Sequence, residues 1–192
     1  MTGHLPFPLA GTTLIVGPSN AGKTRLTARA LDAWVEDHGP DGVVVFEFGP
    51  ELERDGRILG GRLDRFTTVP AGAWHGVLEA HAPRAAADSP AEATTFAADN
   101  ARRAADLFDA APAEPRAVFV NDATIPFHHP DGDPARLLDY CARADAAVCN
   151  ALESDELGVD DPVSRAERAA LAAFRERADR VLELPGAGDA DA

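Results

Sequence analysis

The stretch TTLIVGPSNAGKT (12–24) sets an apolar, β-rich run, a glycine-bounded loop and a helix start directly end to end. That order fits a chain only where a strand stops, turns sharply and passes at once into a helix. The loop GPSNAGKT matches G-x-x-x-x-G-K-[ST] at every fixed position, namely Gly17, Gly22, Lys23 and Thr24. Gly17 and Gly22 permit backbone angles that side chains forbid, so the N–H groups of the loop can turn inward around an anion. A helix opening near Lys23 adds its positive dipole end. Lys23 is the only lysine among 18 basic residues, the rest being arginine. A compact ammonium suits the inside of such a loop where a wide planar guanidinium does not. Its retention here points to phosphate binding.

Downstream, apolar runs alternate with helical patterns. Leu26, Ala30, Leu31 and Trp34 recur at helical spacing over residues 23–37, and His38-Gly39-Pro40 stops that helix. GVVVFEF (42–48) reads as a strand buried on both faces, RFTTVPA (65–71) as a short strand, and the Ala-rich region 74–89 is left unassigned. Residues 91–111 form a long helix ended by Pro112 and Pro115, followed by the strand AVFVND (117–122). The loop FHHPDGDP (127–134), a helix over 135–144 and the strand DAAVCNA (145–151) come next. An acidic loop (154–162), an amphipathic helix (164–178) with Leu171 and Phe174 inward, and the strand DRVLELP (179–185) complete the set. This alternation predicts an α/β fold, a three-layer sandwich with a mainly parallel sheet. Residues 1–11 read as a lead-in, 12–185 as one domain and 186–192 as a disordered acidic tail. Ligands in such sheets sit at the carboxyl ends of the strands.

Charge narrows the function classes. Acidic side chains outnumber basic ones 32 to 18, for a formal net charge of −14. That balance, with lysine nearly absent, suits solubility in concentrated salt, as in a halophilic protein, although a GC-rich genome also favours Arg over Lys. It argues against a nucleic-acid-coating surface. No run approaches the roughly 18 to 20 apolar residues of a membrane span, and MTGHLPFPLAG has no signal-peptide pattern. Cys141 and Cys149 are expected to be two buried thiols in a reducing compartment, so a cytoplasmic location is expected.

At GPSNAGKT the chain resembles the P-loop NTPases. The strand and helix order extends the likeness to their RecA-like and KaiC-like ATPases. This implies nucleotide contacts from Gly17, Pro18, Ser19, Asn20, Ala21, Gly22, Lys23, Thr24 and Arg25. It also implies that Lys23 reaches the β- and γ-phosphates and that Thr24 binds Mg²⁺. The Walker B acid at a neighbouring strand tip is assigned to Asp122; an alignment on Thr124 would put Asn121 there instead. The residue after Asp122 is Ala123, so a water-activating glutamate is sought at the end of the second strand, in Glu47 or Glu51. Asn150, at the tip of AAVCN, corresponds to a γ-phosphate sensor. The resemblance further implies one strand between the P-loop and Walker B strands.

His128 and His129, with Asp131 and Asp133, read as a solvated loop near the nucleotide rather than a metal site. RILGGRLDR (57–65) reads as a surface loop, with a substrate-phosphate site or arginine finger as the alternatives. Three functions fit: a Mg²⁺-dependent NTPase using ATP or GTP and acting on a protein partner or as a homo-oligomer; a nucleotide-binding regulator that hydrolyses poorly; or a small-molecule kinase similar to the adenosylcobinamide kinases. The last family's guanylate-accepting histidine has no counterpart in FGPELERDGRILGG.

Overall fold

The computed structural model describes residues 4–50, 52–54, 57–59, 61–155 and 160–186. In chain order the elements are β1 (Gly11–Gly17), α1 (Lys23–His38), β2 (Val43–Glu47), β3 (Leu52–Arg54), β4 (Arg57–Leu59), β5 (Trp74–Val77), α2 (Pro83–Ala86), α3 (Pro90–Ala110), β6 (Ala117–Asn121), α4 (Pro134–Cys141), β7 (Ala146–Leu152), α5 (Pro162–Arg177) and β8 (Arg180–Glu183). Among the described residues, six strands pair in parallel in the order β5-β2-β6-β7-β1-β8, and β3 and β4 form a separate antiparallel pair. β7 therefore lies between β1 and β6, the single intervening strand that the resemblance implied.

β2 and β6 are buried at every position, as continuous apolar runs demand in a sheet covered on both faces. Alternate side chains feed two cores. Ile15, Val43, Val45, Phe119 and Val148 pack with Leu26, Leu31 and Trp34 of α1. Leu14, Val16, Val44, Phe46, Val118 and Val120 face the other way, toward Leu137, Leu171 and Phe174 of α4 and α5. The result is three layers. Cys141 and Cys149 are buried free thiols 3.9 Å apart.

Local sequence explains the helix starts. α3, α4 and α5 each open with proline after a capping residue: Ser89 accepts from Glu92 N, Asp133 from Ala135 N and Asp161 from Ser164 N. α1 is different. It follows Gly22 directly and has no side-chain cap and no acid in its first turn.

One strand is displaced from its expected place. Residues 65–71 are not a strand: a single 3₁₀ turn spans Leu63–Arg65, and Thr67 donates its hydroxyl to Asp32 on α1. The edge strand is instead Trp74–Val77, where Trp74 packs edge-on against Phe46 at 5.2 Å. Burying that indole on the sheet outweighs the β-branched propensity of Thr67, Thr68 and Val69. Among the described residues, no helix is long and apolar enough to cross a membrane.

Candidate functional site

β1, β2, β6 and β7 all end on one side of the sheet, at Gly17, Glu47, Asn121 and Leu152. A cavity of about 470 Å³ opens there. Ser19 to Arg25 form one wall, and Asp122, Thr124, His128, Arg84 and Glu167 are on its other walls.

The loop has the shape its composition requires. Asn20 (φ 62°) and Gly22 (φ 91°) take left-handed backbones. At Gly17 a Cβ would lie 2.5 Å from the Leu184 carbonyl oxygen, so the passage from strand to loop admits only glycine. Lys23 folds back over the loop, donating from Nζ to the carbonyl oxygens of Gly17 (2.9 Å) and Pro18 (2.6 Å). α1 opens on the cavity without a side-chain cap, so the positive end of its dipole favours an anion there.

Beneath the loop, a chain of amides crosses the strand tips. Asp122 N donates to Asn150 Oδ1 (3.0 Å), which orients the Asn150 amide. Asn150 Nδ2 then donates to Thr27 Oγ1 and Asn121 Oδ1, both at 2.9 Å. Asn121 Nδ2 in turn donates to Glu47 Oε1 (2.5 Å) and the Gly61 carbonyl (2.7 Å), and Leu63 N donates to Glu47 Oε2 (2.8 Å). Each link fixes the next, so both Glu47 oxygens accept hydrogen bonds. Burial pushes the Glu47 carboxyl up to about 7, against the lowering effect of its bonds from Leu63 and Asn121.

The expected site residues thus fall into groups. The loop residues Ser19 to Arg25 and Asp122 line the cavity. Glu47, Asn121 and Asn150 are fully buried below it, and none of the three is among the residues lining it. Glu51 lies outside the described residues. Asp122 has a left-handed backbone (φ 54°), so among the described residues the two non-glycine residues of this kind, Asn20 and Asp122, both line the cavity. That turn carries Asp122 past the strand end and close to Gly49, where a Cβ would meet its Oδ2 at 2.7 Å. Burial raises the Asp122 carboxyl to about 6, with Lys23 opposing and Glu167 adding to the rise. Among the described residues, no three His, Cys, Asp or Glu side chains converge to hold a metal ion by themselves. The Thr24 hydroxyl and the Asp122 carboxylate are hard oxygen donors on the same cavity, the kind of partial set that suits a Mg²⁺ completed by phosphate and water.

Two further parts of the wall were not anticipated. His128 is buried, not solvated, with Nε2 3.2 Å from Glu167 Oε1, while Arg84 Nη1 lies 2.6 Å from Glu167 Oε2. A signal for Glu167 existed: it shares a helical stripe with Val163, Ala170, Leu171 and Phe174, all buried. The other part is Phe66, one of the few large apolar side chains left exposed, with the Arg25 guanidinium 5.3 Å from its ring centre. In the 57–65 stretch, Gly61 and Arg65 line the cavity, whereas Arg62 pairs with Glu79 at 3.1 Å.

No protein-family model matches the chain, and no curated protein matches its sequence. The fold and site define a parallel α/β protein with a glycine loop at the carboxyl edge of its sheet.

Proposed function

We propose that the protein is a RecA-like P-loop NTPase, binding a nucleoside triphosphate with Mg²⁺ and hydrolysing it. The carrying observation is the Lys23 loop between β1 and α1, opening on a cavity that also holds Thr24 and Asp122. In this reading the loop amides and Lys23 hold the triphosphate, and Thr24 with Asp122 hold Mg²⁺, which would neutralise charge on the phosphates. Asn150 supports the site from below by fixing the backbone at Asp122.

A base-binding face favours a nucleotide over inorganic polyphosphate. Phe66, with Arg25 beside it, offers an exposed aromatic plane on the same cavity. Base stacking is worth about 1 to 3 kcal/mol. Phe66→Ala is therefore expected to weaken ATP binding about tenfold in calorimetry while leaving tripolyphosphate binding unchanged; an equal loss for both would move the base elsewhere.

The regulator reading is favoured by Asn121, which occupies the strand-end position with an amide rather than an acid, and by the enclosure of Glu47. The deciding experiment measures ATP and GTP binding, then phosphate release with Mg²⁺, in a salt-rich buffer. Binding with release and no added acceptor supports the NTPase. Binding without release supports the regulator, and transfer only to an added metabolite supports a kinase. No binding of either nucleotide refutes the phosphate-loop assignment.

A further inference from the structure

Opposite the phosphate loop, the cavity wall carries a buried charged cluster that nucleotide and Mg²⁺ binding leave without a role. Glu167 of α5 joins Arg84 through one carboxylate oxygen and His128 through the other. Arg84 also donates to Ser164 Oγ at 3.1 Å, and Ser164 Oγ donates to the capping Asp161 at 2.6 Å. Side-chain exposure is 1% for His128, 9% for Glu167 and 10% for Arg84. Charges enclosed this far are costly unless partnered. Within the cluster one atom is not: His128 Nδ1 is buried with no hydrogen-bond partner.

The protonation pattern follows from the contacts. Burial raises the Glu167 carboxyl, but the hydrogen bond from His128 and the charge of Arg84 outweigh that and hold it below its usual range. An ionised Glu167 takes Nε2–H as its donor, so in the neutral ring the lone pair lies on Nδ1. His128 lines the cavity that Lys23, Thr24 and Asp122 also line. Glu47, by contrast, already spends both oxygens on Leu63 and Asn121.

We propose that His128 is the general base of this site, with Glu167 as the residue that orients its ring, a role that rests on the NTPase reading above. Nδ1 takes a proton from a water molecule as the water oxygen attacks the terminal phosphorus of the triphosphate. A phosphorus–oxygen bond forms to that oxygen, and the bond from the terminal phosphorus to the β–γ bridging oxygen breaks. The nucleoside diphosphate leaves with that electron pair, and the proton stays on the imidazolium beside Glu167 until released to solvent. Among the described residues, the charged groups facing His128 from neighbouring elements are Glu167 of α5 and, more distantly, Asp122 after β6; Arg84 of α2 reaches it through Glu167.

The test uses the whole chain with ATP and Mg²⁺, measuring binding by calorimetry and phosphate release at steady state. His128→Gln keeps an N–H donor for Glu167 and removes the base. It is expected to bind ATP within about threefold of wild type and to release phosphate on the order of a hundredfold more slowly. Glu167→Gln, which loosens the ring but leaves the phosphate loop intact, should lower kcat about tenfold with KM little changed. His128→Gln turning over at the wild-type rate overturns the proposal. So does a wild type that binds ATP and releases no phosphate, a measurement needing no variant. Failure of the wild type to bind any nucleotide refutes the phosphate-loop reading itself.

Discussion

Lys23→Ala is expected to weaken triphosphate binding about a thousandfold while the chain stays folded. At about 4 Å and an effective dielectric near 20, one ammonium–phosphate charge pair is worth about 4 kcal/mol, which corresponds to that factor. The competing explanation would be collapse of the loop, because Lys23 Nζ also holds the carbonyl oxygens of Gly17 and Pro18. Neither oxygen is orphaned by the change. Gly17 O still accepts from Glu153 N at 3.0 Å, and Pro18 O from Ala21 N at 3.4 Å. A net hydrogen bond to a charged group contributes about 1.5 to 3 kcal/mol, so losing these two should lower the melting temperature by on the order of 10 °C without unfolding the chain. Lys23→Arg should also bind poorly, because a planar fork cannot take the place of a compact ammonium between two carbonyls. Calorimetry with ATP alongside a thermal melt separates the two effects. Undiminished affinity in the alanine variant would remove the loop from the site.

The loop was legible because its geometry is local: eight contiguous residues, with glycine at the point where the Leu184 carbonyl leaves no room for a Cβ. The strands β1, β2, β6 and β7 were legible because burial on both faces leaves an unbroken apolar run. What stayed hidden depends on partners far along the chain. Trp74 is a strand residue because Phe46, distant in sequence, offers it a packing face. Asn121 ends β6 as anticipated, whereas Asn150 lies two residues before the end of β7, and the two amides contact each other, Thr27 and Glu47 across the sheet. His128 was read as solvated from its polar neighbourhood, since nothing local tells a loop histidine that a helical carboxylate 39 residues later will meet it. The helical stripe through Glu167 was visible, but a carboxylate on an apolar stripe gains its meaning only with Arg84 in view.

Glu47 allows a prediction about pH that is independent of any ligand. Its carboxyl ordinarily titrates near 4.5 and in the folded chain near 7, so the folded state holds the proton more tightly. Stability is then full below about pH 4.5, falls as pH rises toward 7, and stays reduced above. With Glu47 1% exposed, the loss is about 3 kcal/mol between pH 4.5 and 8. Asp122 adds a loss of the same sign, since its carboxyl is also raised. Glu47→Gln should remove most of this slope. At pH 5 the variant should be less stable than wild type by about 1 to 2 kcal/mol, because one end of the new amide must point an N–H at Leu63 N–H or at Asn121 Nδ2, both donors. Near pH 8 the order should reverse, the variant being the more stable by about 1 to 2 kcal/mol, because the neutral amide escapes the cost of an enclosed negative charge. Urea unfolding at pH 5, 6.5 and 8 gives both curves. A variant whose stability declines with pH as steeply as the wild type would show that Glu47 ionises freely and that the amide chain does not hold it in the interior.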